Sequence, residues 1–265
     1  YDGAAAERGF SQVFGRAGAR ARLFGVYDYS ERDPLANAER DFAANSDLTR
    51  FGGSDFSLTA ANPATVIDPV FAAVPRGQDG TALSAGDFIL GQPNLHNNNE
   101  GQDLLGRQER QSLYLTGALK LGSVVELFGE ARGADRSYRR NSGGATSFFM
   151  IVPSTHPGFV ELAPGATSLI LQYNFIDDLG PVVSSGGNES VGLTGGLRAD
   201  LGETWRTELT ALYGRERGLF RIDNAVNSAR LDEALGLIDD APDFDPAIDG
   251  YFNPSATAPI RRQMC

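Results

Sequence analysis

The chain has 265 residues, a formal net charge of −11 at pH 7, 32 glycines and a single cysteine, Cys265. The acidic balance argues against a nucleic-acid binder, which needs a basic patch; the lone cysteine excludes an internal disulfide framework and any cysteine-based zinc site. No apolar run approaches the roughly 18–20 residues of a transmembrane helix, and the longest greasy patch is about Ser147–Val152.

Taken in chain order, the first element is a β-hairpin at about 7–30. Glu7–Phe14 leads through Gly15-Arg16-Ala17-Gly18 into Ala19–Ser30. Leu23, Gly25, Tyr27 and Tyr29 fall on one face and Arg20, Arg22 and Asp28 on the other, because successive strand side chains alternate. Phe24 and Val26 interrupt that alternation. A long connection follows over 31–107, punctuated by turn formers at Asn62-Pro63, Pro93-Asn94 and Asn97-Asn98-Asn99.

The second hairpin, 108–138, is cleaner. Leu113, Leu115, Leu119 and Leu121 oppose Ser112, Tyr114, Thr116 and Lys120. Gly122-Ser123 turns the chain, and Val125, Leu127 and Ala131 then oppose Glu126, Phe128, Glu130, Arg132 and Arg136. A second long connection spans 139–187 and contains a strand-like stretch, Thr167–Phe175. The third hairpin, 188–217, repeats the design: Val191, Leu193, Leu197 and Leu201 oppose Thr194, Arg198 and Asp200. After Gly202-Glu203-Thr204, Trp205, Leu209 and Tyr213 oppose Arg206 and Glu208. In the tail, 218–265, the spacing of Leu231, Ala234 and Leu235 predicts a helix over Ser228–Leu237, capped by Asn227 or Ser228.

These strands exceed the usual five or six residues, the turns within hairpins are tight, and the connections between hairpins are very long. That combination predicts an all-β fold, an antiparallel up-and-down transmembrane β-barrel segment with long extracellular loops, in the outer membrane of a Gram-negative bacterium. Trp205 beside a tight turn suits an aromatic girdle; in a soluble sheet it would be a core residue. Six strands cannot close a barrel of that strand length, so these residues are expected to be part of a longer protein.

The charged strand positions Glu126, Glu130, Arg132, Arg198, Asp200, Arg206 and Glu208 are the candidates to line a lumen, either solvating the wall through ion pairs or guiding a substrate. In the loops, Phe148, Phe149, Tyr173 and Phe175 are candidates to stack on a ligand, or to pack the loop against itself. No catalytic, cofactor or metal residue is expected. His96 and His156 read as solvated loop histidines without an i+3 or i+4 partner. The cluster Asp239, Asp240, Asp243, Asp245 and Asp249 departs from a calcium loop, which would place a bidentate Glu where Pro254 stands. No Gly-x-Ser-x-Gly elbow and no Gly-x-x-x-x-Gly-Lys phosphate loop occurs.

Several segments resemble the TonB-dependent outer-membrane receptors. They are Arg22–Tyr29 with Glu31–Leu35, then Ser46–Phe56 (SDLTRFGGSDF), Gln78–Leu83, Asp103–Arg110, and Asn224–Leu237 followed by Phe252-Asn253-Pro254. The resemblance covers most of the chain through the order and spacing of these segments among the hairpins. It implies part of a roughly 22-stranded barrel that imports a scarce nutrient such as an iron chelate, cobalamin or oligosaccharide. It also implies TonB, outer-membrane lipid and a small-molecule ligand as partners. Neither a plug domain nor a TonB box is present in these residues. A passive porin would use the same strands, and a soluble β-rich binding protein is the alternative from another class.

Overall fold

The computed structural model describes residues 5–238 together with Phe252, Pro254 and Ser255. The acidic cluster from Asp239 to Asp249 and Cys265 lie outside the described residues. The described strands are β1 (Glu7–Ala17), β2 (Ala21–Arg32), β3 (Leu35–Ala36), β4 (Thr65–Asp68), β5 (Ala72–Ala73), β6 (Ile89–Leu90), β7 (Asp103–Leu105), β8 (Arg107–Leu121), β9 (Val125–Gly144), β10 (Thr146–Pro153), β11 (Ser168–Asn174), β12 (Pro181–Leu201) and β13 (Trp205–Asp223). Two α-helices, α1 (Ile176–Leu179) and α2 (Ser228–Ala234), and three short 3-10 turns accompany them among the described residues. No described helix is long and apolar enough to cross a membrane. The protein is all-β and mostly antiparallel, with open sheets.

The chain divides into two compact units. The first comprises Tyr1–Leu35, Leu105–Arg140 and Ser184–Arg221. Its six strands lie in the order β1-β2-β8-β9-β12-β13, an up-and-down arrangement built from the three hairpins. The β1–β2, β2–β8 and β8–β9 ladders are antiparallel and continuous, with Leu115 facing both Gly25 and Ala131. The first turn falls later than the sequence pattern predicts. Gly15 stays in the ladder opposite Phe24, Ala17 pairs with Arg22, and the chain reverses at Gly18, whose N–H donates to the Ala21 carbonyl at 2.8 Å. The other two turns begin at Gly122 and Gly202, both at positive φ as tight hairpin reversals require. β9 runs on to Gly144 and β12 begins at Pro181, so both strands reach well past the limits set by alternation alone.

The second unit comprises Ala36–Leu104, Asn141–Val183 and Ile222–Cys265. It falls mostly in the stretches expected to be long loops, yet it has a five-stranded sheet in the order β10-β11-β4-β5-β6. The strand expected over Thr167–Phe175 is β11, and it pairs on both sides, with β10 and with β4. Met150, Val152, Leu169, Leu171, Tyr173 and Phe175 join Val66, Val74 and Phe88 in one buried cluster. Helix α2 adds Leu231, Ala234 and the following Leu235, and its N-cap is Asn227, whose Oδ1 accepts from the N–H groups of Ala229 and Arg230. Full burial of each large side chain contributes roughly 1.5–3 kcal/mol.

Where this unit lacks strands, side-chain amides order it. Buried Asn94 donates to the carbonyls of Pro63, Ala64 and Val74 and receives the Thr65 hydroxyl on its own carbonyl. Asn97 bonds to Ser46 N–H and to the Ala44 carbonyl, and Asn99 to the Ala43 carbonyl. Backbone groups of an irregular segment need such partners before they can leave water.

Candidate functional site

The charged residues singled out from sequence lie on one face of the six-stranded sheet. Register places Lys120 opposite Glu126, Thr116 opposite Glu130 and Tyr114 opposite Arg132. Strand alternation then puts Leu113, Leu115, Leu119, Leu121 and Leu127 on the reverse face. Phe24 and Val26 share the charged face with Tyr114 and Thr116, their ladder partners. The alternation is therefore intact, and those two side chains are apolar exceptions on a polar surface.

Near the tight turns the charges form a ladder. Glu126 accepts from Arg22 at 3.0 Å and from Arg198 at 3.4 Å. Arg198 also reaches Glu208 at 2.7 Å and lies over the Phe128 ring at 4.1 Å. Arg206 bonds Asp200 at 2.9 Å. Glu130 accepts the Tyr114 hydroxyl at 3.0 Å. Of the seven sequence candidates, Arg198, Glu126 and Glu208 are brought into one chain of ion pairs, while Arg206 and Asp200 make a separate pair. Arg132 stands apart, its stem laid over Gly192; a Cβ there would come within 2.6 Å of the Arg132 Nε. Arg22, Tyr114 and Phe128 belong to the same surface. Their facing was legible in the alternation, but their pairing was not.

A hollow of about 770 Å³ opens on this face. Small residues line it (Ser112, Ala134, Ser190, Gly192 and Gly214) together with Tyr114, Asp28, Glu216 and Arg132, whose stem lies over Gly192. Glu216 accepts from the Asn188 amide at 2.6 Å. The opposite face carries a second depression of about 740 Å³ along the row Gly117, Gly129, Gly195 and Ala211, bordered by leucines.

The aromatic candidates separate into two pairs. Tyr173 and Phe175 are core residues 1% exposed, packed edge to face at 4.8 Å and each against Phe252. They cannot stack on a ligand, and the packing alternative describes them. The Tyr173 hydroxyl donates to Asp178 at 2.9 Å, and burial followed by the Asp178 charge pushes its pKa far up. Phe148 and Phe149 are both exposed, Phe149 at 75%. Register slips between Ser147 and Met150, and this bulge turns two consecutive rings outward where plain alternation would hide one.

Neither histidine is a freely solvated loop residue. His156 is buried: its Nε2 lies 3.0 Å from the Phe252 carbonyl, and its Nδ1 accepts the Gly158 N–H at 3.0 Å. That pair of bonds defines a neutral ring protonated on Nε2. Burial lowers its pKa, opposed by the bond to Phe252. His96 is lowered by burial as well, with Glu100 opposing at 3.8 Å. Among the described residues no three His, Cys, Asp or Glu side chains gather in a metal-binding arrangement.

No family model, no curated protein and no solved structure matches the chain.

Proposed function

We propose that the six-stranded sheet is a stretch of outer-membrane barrel wall, and that the protein is an active importer resembling the TonB-dependent receptors. The observation that carries this is the uncovered apolar face. Leu23 is 52% exposed, Leu193 47% and Leu209 67%. On β12 the apolar set runs from Val191 to Leu201. At a rise of about 3.4 Å per residue that is about 34 Å of strand, or about 26 Å of height at a tilt near 40°. The hydrocarbon-facing band of an outer-membrane barrel is about 25 Å tall. Arg8, Glu31, Arg107 and Arg139 bound the same face at one end, and Trp205 with the tight turns bounds it at the other.

In this reading the turns at Gly18, Gly122 and Gly202 are periplasmic and the long connections between hairpins are external. Outer-membrane lipid covers the leucines, and the ladder of Glu126, Arg198 and Glu208 faces the water-filled lumen. By resemblance, the external part captures a small ligand, a plug domain rearranges under pull from TonB, and the ligand crosses.

Lipid-contact labels at Leu115, Leu127, Leu197 and Leu209 in the protein in outer-membrane vesicles test the wall. All four should report acyl chains, and labels at Thr116 and Thr194 should report water. A dry protein environment at the leucines ends the proposal. Uptake that is saturable and lost without TonB separates an importer from a passive porin.

A further inference from the structure

The charged face is not uniform along its length. At the turn end, Lys120 and Glu126 stand directly opposite each other on β8 and β9, an attractive pair. Farther along the same two strands, Arg110 and Arg136 stand directly opposite each other. Like charges in that position destabilise a sheet. Arg132 is two positions nearer the turn than the residue opposite Ser112, on the same face. All three arginines are exposed, and none of them forms an ion pair with a carboxylate among the described residues. Arg136 makes one long bond, to the Gln108 side chain at 3.5 Å. By contrast, Arg22, Arg198 and Arg206 are all paired.

Arg132 borders the glycine- and serine-lined hollow, and the Arg110–Arg136 pair stands at the next charged row beyond it. At the lateral margins of the hollow, on β2 and β13, are Asp28 and Glu216. The surface thus offers guanidinium donors on its two central strands, β8 and β9, and carboxylate acceptors on β2 next to them and on β13 beyond β12. Guanidinium forks hold carboxylates bidentately. Carboxylates at the margin accept hydroxyl hydrogens. The volume lies within the range of small-molecule sites, and Tyr114 supplies a flat wall.

We infer that this hollow binds a small carboxylate rich in hydroxyl groups, an acidic sugar, with its carboxylate on Arg132 and its hydroxyls on Asp28 or Glu216, while the Arg110–Arg136 pair at the next row adds positive charge that draws the anion toward it. The inference rests on the proposed function, in that it assigns the importer an anionic, hydroxylated cargo and places it on the lumen face.

Calorimetric titration of the detergent-solubilised protein with trigalacturonate and with its methyl ester tests this. The acid should bind, the ester should bind at least tenfold more weakly, and rising salt should weaken the acid alone. Arg132→Gln combined with Arg136→Gln should lose at least tenfold in affinity for the acid while keeping the heat-modifiable mobility of a folded barrel. Arg8→Gln, on the opposite face, should bind as the wild type does. Equal binding of acid and ester, no binding of either, or an unchanged affinity in the double variant overturns the inference. Loss of the folded barrel in the double variant also overturns it, because the arginines would then be satisfied by carboxylates of the protein itself. Lipid labels at Leu115 and Leu197 in the same preparation separate the two levels. Failed binding with lipid contact intact removes the cargo alone, whereas failed lipid contact removes the importer.

Discussion

The two units treat apolar side chains in opposite ways. In the second unit Leu171, Tyr173 and Phe175 are sealed in a core. In the first, strands of equal regularity leave Leu23, Leu193 and Leu209 about half exposed or more. Leu35 apart, every buried apolar residue among those described belongs to the second unit. A water-soluble sheet would cover such a face with a helix or a second layer. The contrast teaches that one chain can handle leucines in two ways, sealing them by packing in one unit and leaving them uncovered in the other.

The largest break in this contrast should come from the sealed core. Phe175→Ala removes a ring packed against Tyr173 and Phe252 and leaves a cavity, at a cost of about 3–5 kcal/mol. Hydrogen exchange should quicken across β4, β10 and β11 and stay unchanged in β8 and β9. Protection lost equally in both units would erase the distinction.

Next in size is a charge on the uncovered face. Leu193→Arg near the middle of the apolar band should cost about 2–4 kcal/mol and reduce the heat-modifiable folded fraction. The same arginine at Thr194, one residue along and on the charged face, should be tolerated. Leu193→Ala should cost far less than Phe175→Ala, since it leaves no enclosed cavity. Equal effects at 193 and 194 would mean that the two faces share one solvent.

His156→Ala comes third, at about 1–3 kcal/mol, because it strands the Gly158 N–H and the Phe252 carbonyl. The same ring makes the second unit sensitive to acid. Burial depresses its pKa in the folded state, so the unfolded chain takes the proton first, near pH 6.5. Stability should be level above that pH and fall as the pH drops from about 6.5 toward the folded-state value. His96 acts with the same sign. Urea midpoints of the second unit at pH 8 and pH 5 measure this, and His156→Asn should flatten part of the slope.

Glu126→Gln should give the smallest effect, at most about 1 kcal/mol, because its partners are water-accessible. A urea titration of the reconstituted sheet reads it.

The three hairpins were visible in the sequence because a period of two, unbroken across Leu113–Leu121 and Val191–Leu201, leaves one arrangement for a strand with two different faces. The first turn was misplaced because Gly15 and Gly18 both offer a reversal, and only pairing with Phe24 decides between them. The second unit was mostly hidden. Its strands β4, β5 and β6 are four residues or fewer, too short for a period to register. Asn94 and Asn97 looked like turn punctuation, since their partners lie roughly 20–50 residues away. His156 finds its carbonyl 96 residues along the chain. Bulge geometry likewise decided Phe148 and Phe149, and it depends on a partner strand that local sequence does not reveal. On the charged face the side of each residue was legible, whereas the split between paired and unpaired arginines needed the register.

The double grip on Glu126 has a consequence for alignment. A sheet whose sides differ only as oily and wet is blind to a slip of two residues, since such a slip returns every side chain to its own side. Moving β9 by two would carry the Glu126 carboxylate about 6.8 Å along the strand, too far to keep hold of Arg22 and Arg198 together. The salt links therefore act as a vernier, separating alignments that hydrophobicity alone would count as equal.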